Sequence, residues 1–289
     1  MRAPLAQVLS RPESVTDRWV QVGLAPSTGR PGALFCALSG LVRQWRERRL
    51  VDDFFFMNKP PGVRVRFAPA PGQAPFVRAA LRRLVRDWCA AGLVADVVPG
   101  VYEPEEDRFG GPGPMAHVHR MFTVDATTWL EFHARPHRTP AWALSLAMLR
   151  PVLDAVGDTV GDTVGDAAGD AVGTGGTREH AIWARVAAAG RLLPPDVSAP
   201  DAVTAGLRRW WRQPGALPEE DVRRLAAVHA AQVAPLASAW AASLRNMDGD
   251  VAEAVAWYVV FHWNRAALPE HHRRLLTVAL ADAPATAAA

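Results

Sequence analysis

The order of apolar and polar positions gives the chain two halves of different character. In the first half short runs dominate. Residues 17–24 (DRWVQVGL) alternate apolar with polar side chains and predict a strand. Residues 34–50 carry Leu34, Leu38, Leu41, Val42 and Trp45 at helical spacing, with Arg43, Arg46, Arg48 and Arg49 on the wet side. Residues 51–57 (VDDFFFM) and 63–67 (VRVRF) are strand-like, and Lys59-Pro60-Pro61-Gly62 between them makes a turn, which predicts a hairpin. An amphipathic helix is expected over 76–91, stopped by Gly92, and a strand over 94–102. From Trp129 onward the pattern is helical and rich in alanine and leucine, with further helices over 179–192, 200–212, 218–245 and 249–267 and a frayed APATAAA tail. The expected class is α+β: a mixed or antiparallel sheet in the N-terminal half packed with helices, then a helical C-terminal half. One segment breaks the pattern. Residues 156–173 repeat a Val-Gly-Asp-Thr/Ala unit every four residues, with too few apolar groups to offset the entropy of ordering, so 156–176 is expected to be a flexible insertion. A calcium-binding roll has Gly-Asp repeats too, but its period is nine.

Composition narrows the class. At 289 residues, 49% apolar and 21% charged, the chain buries a real core as one large domain or two small ones, and it is read as one, residues 1–289. The formal charge is +3, and Lys59 is the single lysine. Arginine forks match carboxylates and phosphates better than lysine does, so an acidic partner is permitted; a genome that writes Arg for Lys explains the bias equally well. Cys36 and Cys89 have no companion spacing for a metal or a disulfide framework, and both fall in apolar helical patterns, which predicts small core residues. The first residues (MRAPLAQVLSRPES) lack the apolar run of a signal peptide, and no stretch approaches ~20 uninterrupted apolar residues. A soluble, cytoplasmic protein without a membrane partner is expected.

Three constellations carry chemistry. Arg64 and Arg66 share one face of a strand, about 6.6–7 Å apart, while Val63, Val65 and Phe67 take the other. Paired guanidinium groups make a clamp for a peptide carboxylate or a carbonyl gaining negative charge; the plain alternative is the solvated face of an edge strand. In YEPEEDRFGG, Tyr102 precedes Glu105 and Arg108, which are close enough to touch across a turn, and Gly110-Gly111 allows a tight bend. A charged surface turn is the alternative there. In the helix DVAEAVAWYVVFHWNRAAL, Tyr258, His262 and Arg265 fall at i, i+4 and i+7, one stripe of an otherwise apolar helix. Such a stripe either lines a wet cleft, where Tyr and His serve as acid and base and Arg holds an anion, or forms an internally hydrogen-bonded core trio. The cleft is the preferred reading, with this face opposite Arg64 and Arg66. Weaker signals fall away: His117 and His119 point apart on a helix, and His271 and His272 lie in a charged, exposed segment. Trp210 and Trp211 within LRRWWR fit packing better than base stacking.

FFFMNKPPGVRVRF, YEPEEDRFGG with MAHVHRMFTVDATTWL, and FHWNR, in that order over residues 17–280, resemble the C-terminal elimination domain of lantibiotic dehydratases and its stand-alone thiopeptide relatives. The resemblance implies action on a ribosomally made, modified precursor peptide with its leader, alongside other enzymes of the same pathway. It implies no metal, no organic cofactor and no nucleic acid. Two activities follow from it. Elimination removes a glutamyl ester from Ser or Thr to leave a dehydroamino acid, and Arg64, Arg66, Glu105, Arg108 and His262 match its positions. Pyridine synthesis joins two dehydroalanines by a formal aza-[4+2] cycloaddition, with loss of water and leader. The Lys-Pro-Pro-Gly-Val run, where elimination domains carry Tyr/Asp-Pro and then His-Leu-Arg-Leu-Arg, and the opening RWVQVGL favour the synthase. Tyr258 and His262 are then the expected acid and base, with Arg64, Arg66, Tyr102, Glu105, Arg108 and Arg265 binding peptide. A non-catalytic leader-binding scaffold is the third reading.

Overall fold

The computed structural model describes residues 18–29, 31–161, 174–189, 200–213, 217–246 and 250–281. Contacts divide the chain into two compact units: Met1–Pro104 with Phe122–His137, and Glu105–Met121 with Arg138–Ala289.

The first unit holds the sheet. Strands β1 (Val20–Pro26), β2 (Val51–Lys59), β3 (Gly62–Pro69) and β4 (Val94–Gly100) pair in the order β2-β3-β1-β4, antiparallel throughout. The β2–β3 hairpin turns through Pro60-Pro61 as expected. Helices α1 (Pro31–Glu47) and α2 (Ala74–Ala90) complete the α+β arrangement, with Gly92 beyond α2 in the left-handed region at φ 66°. One sheet face is a fused aromatic layer: Phe54 meets Phe67, Phe67 meets Trp45 of α1, and Phe56 meets Phe35 of α1. The opposite face is covered too. Helix α3 (Pro112–His133) contains the helical turn expected at His117 and His119 and runs on through Trp129, and its Phe122 packs on Phe55 at 5.2 Å. Thr123 beside it accepts the Phe54 amide (3.0 Å) and donates to Asp53 (3.1 Å), giving the outer edge of β2 a side-chain partner. This double cover explains the unbroken run Phe54-Phe55-Phe56: a strand buried on both sides has no polar alternation to show.

The second unit is helical: α4 (Ala141–Gly161), α5 (Thr174–Ala189), α6 (Asp201–Arg212), α7 (Glu220–Arg245), α8 (Val251–Arg265) and α9 (Glu270–Ala281). Here α4 packs on α7, α5 on α8, and α9 on α5 and α6. Two expectations change. Helix α4 carries through the first Val-Gly-Asp units to Gly161, and α5 starts at Thr174, so the ends of the supposed 156–176 insertion are helical. Extending a nucleated helix adds one bond per residue fixed, which offsets the ~1 kcal/mol a glycine costs there. Residues 162–173 of that segment, and the APATAAA tail, lie outside the described residues. The His271–His272 segment opens α9 with His271 exposed and His272 half-buried, in keeping with the exposed reading, and burial begins further along at Leu276. The cysteines also depart from expectation: both are exposed. Cys36 sits two residues past Leu34, about 200° round α1 from the buried stripe, and Cys89 lies in the last turn of α2. Helix α7 is long and apolar enough by composition to cross a membrane, but its Val222, Val233, Trp240 and Leu244 are buried within the protein.

Candidate functional site

Strand register builds the arginine site. Arg66 lies opposite Gln21 on β1 and Phe55 on β2; Arg64 lies opposite Gly23 and Met57. The two arginines therefore share a face, as the alternation requires, but their surroundings differ. Arg64 is part-buried. Arg66 is only 7% exposed. Its guanidinium rests 4.8 Å from the Phe55 ring and 4.5 Å from that of Tyr102, and its Nε donates to Gln21 Oε1 at 2.7 Å. Tyr102, just past β4, is itself edge-on to Trp19 (5.2 Å) and Phe55 (5.4 Å). The idea that both arginines stand on an ordinary exposed face, where removal costs little, does not hold for Arg66. Its face is the one that Phe55, Phe122 and Tyr102 cover.

In the second unit, Glu105 and Arg108 pair at 2.5 Å, each side chain about 40% exposed, and the Arg108 guanidinium stacks 3.7 Å above Trp257 of α8. This turn is fastened from beneath. The Trp240 indole donates to the Phe109 carbonyl (3.4 Å), and Phe109 meets Phe261 edge-on at 5.4 Å. Gly110 takes φ 89°, a left-handed backbone that favours glycine, and sits against the Leu244 side chain. An exposed pair of this kind adds less than ~1 kcal/mol to stability, and stacking on the indole orients the Arg108 guanidinium.

Tyr258, His262 and Arg265 do form one stripe of α8, and all three are fully buried. The phenol and imidazole rings lie 6.5 Å apart and nearly parallel (19°), and His262 Nε2 is 2.9 Å from the Ser145 hydroxyl on α4. His262 and Arg265 occupy the last turn of α8, where the helix dipole favours cations. A hydroxyl against an imidazole is also half of a nucleophile–base pair, but Ser145 and His262 are both sealed from solvent, so no substrate reaches them in this conformation. The stripe is thus core in the folded unit, and not the lining of an open cleft. Among the described residues, no group of three or more His, Cys, Asp and Glu side chains converges as a metal site.

The family model "Lantibiotic biosynthesis dehydratase C-term" matches residues 19–283. The chain belongs to that family. Membership places it in the making of modified, ribosomally synthesised peptides. The crystal structure of the tRNA-dependent lantibiotic dehydratase MibB from Microbispora sp. 107891 superposes with a TM-score of 0.62 at 18% identity. That alignment covers 94% of this chain and 28% of MibB, so the chain spans little more than a quarter of that protein. At this identity the likeness speaks to the fold. A second crystal structure, of TsrL, aligns over 91% of this chain and 93% of its own at 15% identity, with a TM-score of 0.44, too loose to argue from. No curated protein matches the sequence.

Sequence reasoning brought out every member of these constellations except the residues that hold them. Gln21, Trp257 and Ser145 were passed over. Gln21 was legible in principle, as the polar position between Val20 and Val22 in an alternating strand. Ser145 was not, because nothing in α4 marks which turn meets His262.

Proposed function

We propose that the protein closes the pyridine ring of a thiopeptide antibiotic on a leader-bearing precursor peptide. Two dehydroalanines combine in a formal aza-[4+2] cycloaddition, water is lost, and the leader is expelled as the ring aromatises. Arg64, Arg66, Glu105, Arg108 and His262 match the elimination positions of the family resemblance, so removal of glutamate from glutamylated Ser or Thr is the competing reading. One observation favours ring closure. Counted back from Arg66, the histidine of the His-Leu-Arg-Leu-Arg run in elimination domains falls on Gly62. A Cβ there would lie 2.5 Å from the Leu24 carbonyl oxygen and 2.6 Å from Pro26 Cδ, so the hairpin admits no side chain at that position. The arginine strand is kept while the residue that precedes it in elimination domains is sterically forbidden.

In this reading Arg64 and Arg66 orient the peptide backbone, Tyr102 holds the Arg66 plane, and Glu105, Arg108 and Arg265 bind the remainder. The cycloaddition needs one amide as its imidic-acid tautomer: a carbonyl oxygen gains a proton and an N–H loses one. An acid and a base, here Tyr258 and His262, would supply ~10²–10⁴-fold. Because these two and Arg265 are all fully buried, participation of any of the three requires local opening around α8 when peptide binds. Holding the two alkenes in contact contributes on the order of 7–11 kcal/mol. No cofactor or metal takes part, and the protein works in the cytoplasm after an enzyme that dehydrates serine.

Intact-mass analysis of purified protein with two substrates tests the reading. A dehydroalanine- and azole-bearing precursor with its leader should be converted, and a glutamylated precursor returned unchanged. Loss of glutamate from the second would establish elimination instead. Binding of both without turnover would leave a leader-binding scaffold.

A further inference from the structure

The buried guanidinium of Arg66 is held by a residue that carries no assigned role. Gln21 lies directly opposite it on β1 and is itself 5% exposed. The Gln21 carbonyl oxygen accepts from Arg66 Nε at 2.7 Å, and its NH₂ donates to the Val101 backbone carbonyl at 3.0 Å. Both ends of the amide are thus engaged, which fixes its orientation, since only one flip places the acceptor on Arg66. The same amide occupies the space beside Gly100: a Cβ there would sit 2.3 Å from Gln21 Nε2. Gly100 needs no unusual φ; what it supplies is room. We propose that Gln21, with Gly100 leaving space for it, is the positioning residue that sets the Arg66 guanidinium plane for a peptide carbonyl oxygen. The two rings block rotation of the guanidinium on one side, and the Gln21 oxygen fixes Nε, so little rotamer freedom is left to lose when substrate binds.

The inference rests on the reading that Arg66 binds precursor, and its test has an arm that does not. In a ¹H–¹⁵N spectrum of the arginine side chains, Arg66→Lys removes one Nε–H signal and so assigns it. That proton should exchange with solvent about tenfold faster or more in both Gln21→Ala and Gly100→Ala, and return toward the wild-type rate in Gln21→Glu, which keeps an acceptor oxygen. The dissociation constant for a leader-bearing dehydroalanine precursor, measured by fluorescence anisotropy, should rise about tenfold in the two alanine variants while their near-ultraviolet circular dichroism stays native. Unchanged Nε–H exchange in both variants overturns the proposal. So does a lowered melting temperature with wild-type affinity in the folded protein, the mark of a merely structural glutamine. If the wild type itself binds no precursor, the proposed function falls, and the exchange arm alone decides the role of Gln21.

Discussion

Both units bury a basic side chain among aromatic rings, but they hold it by different means. In the sheet, Arg66 is fixed from neighbouring strands in register: Gln21 on one side, Phe55 on the other, with Tyr102 against its face. Partners directly opposite in a sheet stand about 4.5–5.5 Å apart by backbone geometry alone, so the arrangement is rigid before anything binds. In the helical unit, His262 meets a hydroxyl offered by a different helix, Ser145 of α4. That contact survives only while α4 and α8 keep their relative rotation. The sheet site is therefore built to orient, and the helix stripe to be exposed or hidden by packing. On the proposed function, peptide orientation by arginine belongs to the first, and proton transfer by the second is conditional on opening.

The difference can be broken by mutation, most severely at the stripe. His262→Ala removes a fully buried ring and leaves Ser145 without its partner, so unfolding free energy should fall by about 2–4 kcal/mol in urea titration. A loss below ~1 kcal/mol would mean the stripe is not core. Next in size is the asymmetry within β3. Arg66→Ala should cost about 1–3 kcal/mol, because it empties an aromatic-lined site and leaves the Gln21 side-chain oxygen without its donor, while Arg64→Ala stays within ~0.5 kcal/mol. Equal costs would erase the distinction between a buried and an open arginine on one strand face. Tyr258→Phe sharpens the comparison kinetically: packing is kept, stability changes by about 1 kcal/mol or less, and turnover slows by ~10²-fold if the phenol moves a proton. Unchanged turnover removes Tyr258 from the chemistry. The smallest effect is one of pH. Burial, with Arg120 adding, lowers the pKa of His117; burial, with His271 adding, lowers that of His272. The unfolded chain thus takes up these protons first as pH falls, near about 6.5. Their contribution is intact above that value and lost as pH drops through the lowered folded values. His117→Gln and His272→Gln should flatten a plot of stability against pH between neutrality and pH 5, and an unaltered slope would show that neither histidine contributes.

What was legible follows from the same geometry. Alternation in VRVRF put Arg64 and Arg66 on one strand face, and the Pro-Pro-Gly turn set the hairpin. The 3.6-residue period aligned Tyr258, His262 and Arg265. Which faces were covered could not be read that way. The packing of Phe122 on Phe55, and of Ser145 on His262, is decided by residues distant in sequence, so the solvent face expected for Arg66 became an aromatic site, and the cleft expected at the stripe became core. Phe54-Phe55-Phe56 was the missed clue, because three consecutive apolar residues leave a strand no wet side. The Val-Gly-Asp repeat misled in the opposite direction: low helix propensity was overridden where α4 ran into it.

The identity of the released leader tests the central claim most directly. During ring formation the leader stays joined to a ring carbon through its amide nitrogen, so aromatisation expels it as a primary carboxamide. Tandem mass spectrometry of the reaction with a leader-bearing dehydroalanine precursor should find the leader ending in that amide, together with a core peptide that has lost water and leader. A leader ending in a free carboxylic acid would point to hydrolysis, and an intact precursor alongside glutamate loss from a glutamylated one would contradict ring closure outright.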